Sequence, residues 1–164
     1  MKASFIITLV FFLNTYLIAQ EPNQSFDGLK QAISKVNPEV DFSDKLVFVS
    51  VWKSTDAESR EINKEAYRVY KIYEKAKLKN GEKGAVFISL NLDTDIQNRN
   101  LAVGKDSIEA TVVYSDPNLI SLVQSGFNLS GTQSTIVLDK IGVVQYTNIS
   151  KDQIFPSLRN LITR

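Results

Sequence analysis

The sequence predicts a three-layer α/β domain: a mixed central sheet with helices on both faces, closed by a C-terminal β-hairpin and a last helix. Three observations predict it. Residues 46–52 and 85–92 are near-continuous apolar runs rich in Val, Ile, Leu and Phe, the composition of strands covered on both faces in parallel sheets. Segments with apolar residues at helical spacing alternate with those runs. Near the end, Thr135-Ile136-Val137-Leu138 and Val143-Val144-Gln145-Tyr146 flank Asp139-Lys140-Ile141-Gly142, which reads as a hairpin with a glycine-containing loop. Strand–helix alternation ending in an antiparallel pair gives one mixed sheet.

The chain of 164 residues opens MKASFIITLVFFLNTYLIAQ. Lys2 precedes an apolar run from Phe5 to Leu13, and Leu17-Ile18-Ala19 offers a cleavage site before Gln20. Charge, apolar run and small residue come in the order of a secretory signal, expected over residues 1–19. The competing reading, a membrane anchor, needs about 20 apolar residues, and Asn14, Thr15 and Tyr16 interrupt the run first. The expected location is therefore an exported compartment, periplasmic or extracellular, with no stable membrane anchor after cleavage. Residues 20–41 are expected to form a polar leader (20–25) and a short helix, and residues 42–164 the domain.

Phe26, Leu29, Ile33 and Val36 recur at helical spacing and stop at Asn37-Pro38. After the first strand, Thr55-Asp56-Ala57-Glu58 fits a capping box, with the Thr55 hydroxyl and the Glu58 carboxylate satisfying free N–H groups. Ile62, Ala66, Val69, Tyr73 and Ala76 then form one apolar stripe. Lys71, Lys75, Lys77 and Lys79 gather at the negative end of the helix dipole, and Asn80-Gly81 is the expected stop. Asp93-Thr94-Asp95 opens a weaker helix running to about Val103. Thr111-Val112-Val113-Tyr114 reads as a short strand. Ser115-Asp116-Pro117 starts a helix with proline where its missing N–H costs nothing, ending near Gly126. In the last helix Ile154, Leu158, Leu161 and Ile162 share a face, and either Ser150 or Asp152 serves as its cap.

Composition excludes whole classes of chemistry. The chain has no cysteine and no histidine. It therefore forms no disulfide, offers no thiolate and has no imidazole for acid–base work. Any metal site would be all-oxygen and suited to hard ions; no metal and no cofactor are expected. With 19 basic and 18 acidic side chains in the full chain, loss of residues 1–19 removes Lys2 and leaves 18 of each. A balanced chain with no basic run argues against nucleic acid as a partner.

Residues 45–60, KLVFVSVWKSTDAESR, resemble the active-site stretch of bacterial exported thiol–disulfide oxidoreductases of the thioredoxin superfamily. Those have an apolar strand, then Trp-Ala-Ser-Trp-Cys-x-x-Cys-Arg, then a long helix. Trp52, Ser54 and Arg60 fall in register, and the two cysteine positions fall on Asp56 and Ser59, with Ala57 and Glu58 between them. Residues 131–139, GTQSTIVLD, followed by Gly142, resemble the family's Pro-Thr-Thr segment, with Gln133 at the cis-proline position. Leu90-Asn91-Leu92-Asp93 is similar to a strand ending in aspartate in the same branch. The likeness runs over residues 42–163 and implies a thioredoxin-like three-layer fold.

Where the family places a thiolate at a helix N-terminus, Asp56 keeps a negative group that cannot exchange a disulfide. Its plainer reading is a first-turn acid or helix cap. A cis bond before Gln133 would cost ~2.5–4 kcal/mol, so a trans Thr132–Gln133 peptide is expected. No catalytic residue is assigned. Trp52, Thr55, Asp56 and Gln133 are the candidate binding surface, with Trp52 read also as core. Asp93-Thr94-Asp95 reads as a strand-to-helix corner rather than a metal site. The leading expectation is a redox-inactive module that binds an exported protein, peptide or small ligand. The alternatives are an enzyme of another class built on Asp56, Glu58 and Arg60, and a regulatory partner of a cysteine-bearing oxidoreductase.

Overall fold

The computed structural model describes residues 22–79 and 81–161. The expected signal segment, Asn80 and Ile162 lie outside the described residues. The elements run α1 (Pro22–Val36), β1 (Leu46–Trp52), α2 (Ala57–Tyr73), β2 (Ala85–Asn91), α3 (Ile96–Lys105), β3 (Val113–Tyr114), α4 (Pro117–Gly126), β4 (Ser134–Leu138), β5 (Val144–Thr147) and α5 (Lys151–Arg159). They build one five-stranded sheet of order β3-β2-β1-β4-β5. β1 pairs in parallel with β2, from Leu46 opposite Ala85 to Trp52 opposite Asn91, and β2 pairs in parallel with β3. β1–β4 and β4–β5 are antiparallel. This is the mixed three-layer α/β sheet that the sequence predicts.

Strand side chains alternate between faces, so each buried strand serves two cores. Leu46, Phe48 and Trp52 of β1 join Phe87 of β2 beneath α2 and α5, with Tyr67, Tyr70 and Leu158. Val47, Val49 and Val51 join Ile88 and Leu90 on the other face, beneath Phe26, Leu29 and Ile33 of α1 and Leu119 and Val123 of α4. The two covering helices of this second face approach closely, and the Ser25 hydroxyl donates to the Gly126 carbonyl at 3.0 Å. β1 is central and buried along its whole length, so its C-terminal end and the start of α2 are fixed by the rest of the domain.

Three elements differ from the sequence pattern. α1 starts at Pro22 rather than after a leader to residue 25, because proline is well suited to the first position of a helix. Its Val36, expected on the apolar face, is 53% exposed. α2 ends at Tyr73, not near Asn80: Leu78 is buried, and its N–H turns back to the Glu82 carbonyl. Residues 77 and 83 then bridge in antiparallel fashion. Gly84, at φ +109°, crosses the helix end so closely that a Cβ would lie 2.0 Å from the Glu74 carbonyl oxygen. β3 is only two residues long, since residues 110–112 form a 3-10 turn instead.

Candidate functional site

The site lies where β1 hands the chain to α2. Asp56, in extended conformation, is the N-cap of α2. One carboxylate oxygen accepts the N–H groups of Glu58 and Ser59, both at 3.1 Å. The capping box centred on Thr55 is thus shifted by one residue: the shorter aspartate side chain closes the cap, and Thr55 is exposed. The other Asp56 oxygen accepts the Thr132 hydroxyl at 2.9 Å, tying the helix N-terminus to the loop before β4. The Ser59 N–H, then the Thr132 hydroxyl, holds the Asp56 carboxyl below the ordinary carboxylate range.

Ser59 is buried, and its hydroxyl pins the connection. It accepts the Lys53 N–H at 3.2 Å and donates to the Asp56 carbonyl at 3.2 Å. The Ser54 N–H donates to Asp93 at 2.9 Å, and the Asn91 amide donates to the same oxygen at 2.8 Å. Burial pushes the Asp93 carboxyl up, but the hydrogen bonds from Ser54 and Asn91 and the nearby Lys53 charge more than offset it, leaving it below its usual value. Asp95 caps α3 by accepting the Gln97 N–H. Asp93 and Asp95 are therefore a loop brace and a helix cap, as the corner reading expects.

Trp52 does not belong to a binding surface. It is fully buried, and its indole N–H donates to the Ser89 hydroxyl at 2.7 Å. Ser89 in turn donates to the Asn63 side-chain oxygen of α2 at 2.9 Å. The physical reason is the register: position 52 points to the α2 face, where Ser89 and Asn63 give the indole a partner inside the core. Serines 50 and 89, polar interruptions of two apolar runs, and Asn63 beside the α2 stripe were the sequence signals of this buried polar row.

Asp56, Glu58 and Arg60 do not form one cluster. The Arg60 guanidinium makes a two-point contact with Asp106 at 2.6 and 2.7 Å, an ion pair of residues 46 positions apart whose Asp106 side chain is 5% exposed. Glu58 is exposed, and its carboxylate has no partner among the described residues. Ala57 is also exposed. Gln133 is half-buried, and the peptide preceding it is trans. Of the expected surface, Thr55, Asp56 and Gln133 reach solvent at least in part, and Asp56 is engaged on both oxygens. Thr132, whose side chain the sequence pattern gives no role, is the residue that joins the two loops.

No protein-family model matches the chain, and no curated protein matches it. Solved structures do. The thioredoxin domain of a thiol–disulfide oxidoreductase from Bacteroides vulgatus superposes with a TM-score of 0.59 at 16% identity, over 75% of this chain and 83% of that one. A secreted disulfide oxidoreductase of Mycobacterium tuberculosis gives 0.56 at 11% identity, over 73% and 84%. A secreted thiol–disulfide isomerase from Corynebacterium glutamicum gives 0.57 at 17%, over 73% and 74%. The fold is thioredoxin-like, and the chain that adopts it contains no cysteine.

Proposed function

We propose that this chain is a redox-inactive thioredoxin-like module of the exported compartment that binds a protein or peptide at the end formed by the β1–α2 connection and the loop before β4. The single observation that carries the reading is Asp56. At the start of α2, where the sequence resemblance would place the first cysteine, this chain has a fixed negative group engaged in a helix cap and a cross-loop hydrogen bond. A scaffold so maintained without a nucleophile is suited to presenting a surface. The secreted character of two similar structures and the N-terminal signal pattern support export.

Thr55 is the position to test, because it is exposed and none of its side-chain atoms is needed for the cap. A photoreactive residue at 55, introduced in the producing cell, is expected to give a discrete crosslinked product. The same residue at Lys140, beyond the opposite end of β4, is expected to give none of it. Equal capture at both positions would remove the reading.

The enzyme alternative has no observation in its favour at this site, since Arg60 is held by Asp106 and Glu58 stands apart. The regulatory alternative differs from the main reading in one outcome only: its crosslink would depend on the redox state of the captured partner.

A further inference from the structure

We propose that the cleft at the carboxyl ends of β2 and β3, between α3 and α4, binds a small monocarboxylate with an aliphatic body, and that Arg99 receives the carboxylate. This cleft adjoins the β1–α2 connection through Asp93, which accepts the Ser54 N–H, but Thr55 does not line it and it does not rest on the function proposed above. The cleft measures about 730 Å³, within the range of small-molecule sites. Ligand crevices of open α/β sheets lie outside the carboxyl ends of the strands where the strand order reverses; this cleft shares the carboxyl-end position but sits at the β2–β3 edge of the sheet.

Arg99 is half-buried on the cleft wall. Its Nη1 donates to the Ser115 hydroxyl at 3.1 Å, and its Nε and Nη2 donate to the Asn100 side-chain oxygen at 3.1 and 2.9 Å. Both acceptors are neutral. Arg60 and Arg68 each hold a carboxylate at two points, whereas Arg99 has none among the described residues. A guanidinium has five donors in a fixed fork. Three are used in orienting Arg99, and two remain for a planar anion, the geometry that arginine recognises best.

The rest of the lining sets the class of ligand. Leu92, Ile96, Pro117 and Ile120 give an apolar wall, and Ile96 is 59% exposed. Asp93 also faces the cleft, with one oxygen committed to Ser54 and Asn91. Asp95 and Asp116, at the two helix starts, are engaged as caps. Arg99 makes no ion pair among the described residues, while Asp93 on the cleft and the capping carboxylates of Asp95 and Asp116 remain negative around it, so the cleft admits at most a single negative charge and disfavours a phosphate. The apolar wall suits a short branched chain. A free acid and the C-terminal leucine of a peptide both carry that chemistry.

The test is a backbone-amide NMR titration of the whole protein with 4-methylpentanoate, 4-methylpentanamide and N-acetyl-alanyl-leucine. The expected result is saturable shifts at Ser115, Ser121 and Gln124 with one or both acids. The neutral amide, and the acid with Arg99→Gln, should bind about tenfold more weakly or worse, the worth of a charged hydrogen bond. If Arg99→Gln fails to fold, the comparison of acid with amide on the unaltered protein still decides. Equal binding of acid and amide overturns the proposal, as does an Arg99→Gln protein that binds normally. Absence of shifts at about 10 mM acid, where a 1 mM site is ~90% filled, overturns it too. Binding of the dipeptide alone identifies a chain terminus as the source of the carboxylate and supports the assignment of Arg99.

Discussion

Replacing Asp56 by alanine tests whether that carboxylate is a structural cap. The substitution strips the Glu58 and Ser59 N–H groups of their acceptor and releases the Thr132 hydroxyl. Loss of an aspartate N-cap costs ~0.5–2 kcal/mol. The bond to Thr132 adds an amount near the low end of ~0.5–1.5 kcal/mol, because Thr132 is exposed and water replaces it. The expected loss is about 2 kcal/mol in total. Asp56→Asn keeps a good capping oxygen and loses chiefly the charge at the helix dipole, ~0.3–1 kcal/mol. The assay is urea unfolding followed by the fluorescence of Trp52, the one tryptophan in the chain, with the midpoint shifting at constant slope. The pH dependence has a defined sign. The Ser59 N–H, then the Thr132 hydroxyl, holds the folded carboxyl below the ordinary carboxylate range, so its charge contributes stability above the unfolded pKa. That contribution disappears as pH falls through the folded value. The gap between the parent protein and Asp56→Asn should therefore close in acid. An Asp56→Ala protein as stable as the parent at neutral pH would refute the reasoning.

Three further outcomes are expected from the packing. Ser89→Ala leaves the buried indole N–H of Trp52 and the Asn63 oxygen without their partner, a loss of ~1–3 kcal/mol by the same unfolding assay; Ser89→Thr should retain part of it. Asp106→Ala strands a half-buried guanidinium and should cost about 2–3 kcal/mol, with Asp106→Asn between it and the parent. Gly84→Ala combines φ +109° with a Cβ placed against the Glu74 carbonyl, so a loss of at least ~3 kcal/mol or failure to fold is expected on expression and thermal melting.

The elements that were legible in the sequence are those whose signal is local. β1 was read with its observed ends because seven successive buried positions leave a continuous apolar run. The start of α4 was read because Asp116-Pro117 is a cap followed by a first-turn proline. The end of α2 was not legible: the lysines after Tyr73 continue a helical composition. What stops the helix is Gly84 arriving from the next strand and Leu78 turning into the core. At the candidate site, Asp56 at a helix N-terminus was readable from spacing. Its bond to Thr132, 76 residues away, and the Arg60–Asp106 pair were not, since only the folded sheet brings those loops together. The core reading of Trp52 holds and its place in the candidate surface does not, because the strand register turns the indole toward Ser89, a partner that spacing alone does not reveal.

The direct check on the central claim is turnover of an insulin disulfide by purified protein with dithiothreitol as reductant. Without sulfur at positions 56 and 59, the rate should equal that of dithiothreitol alone at every protein concentration. A rate that rises in proportion to added protein, and survives repurification, would contradict it.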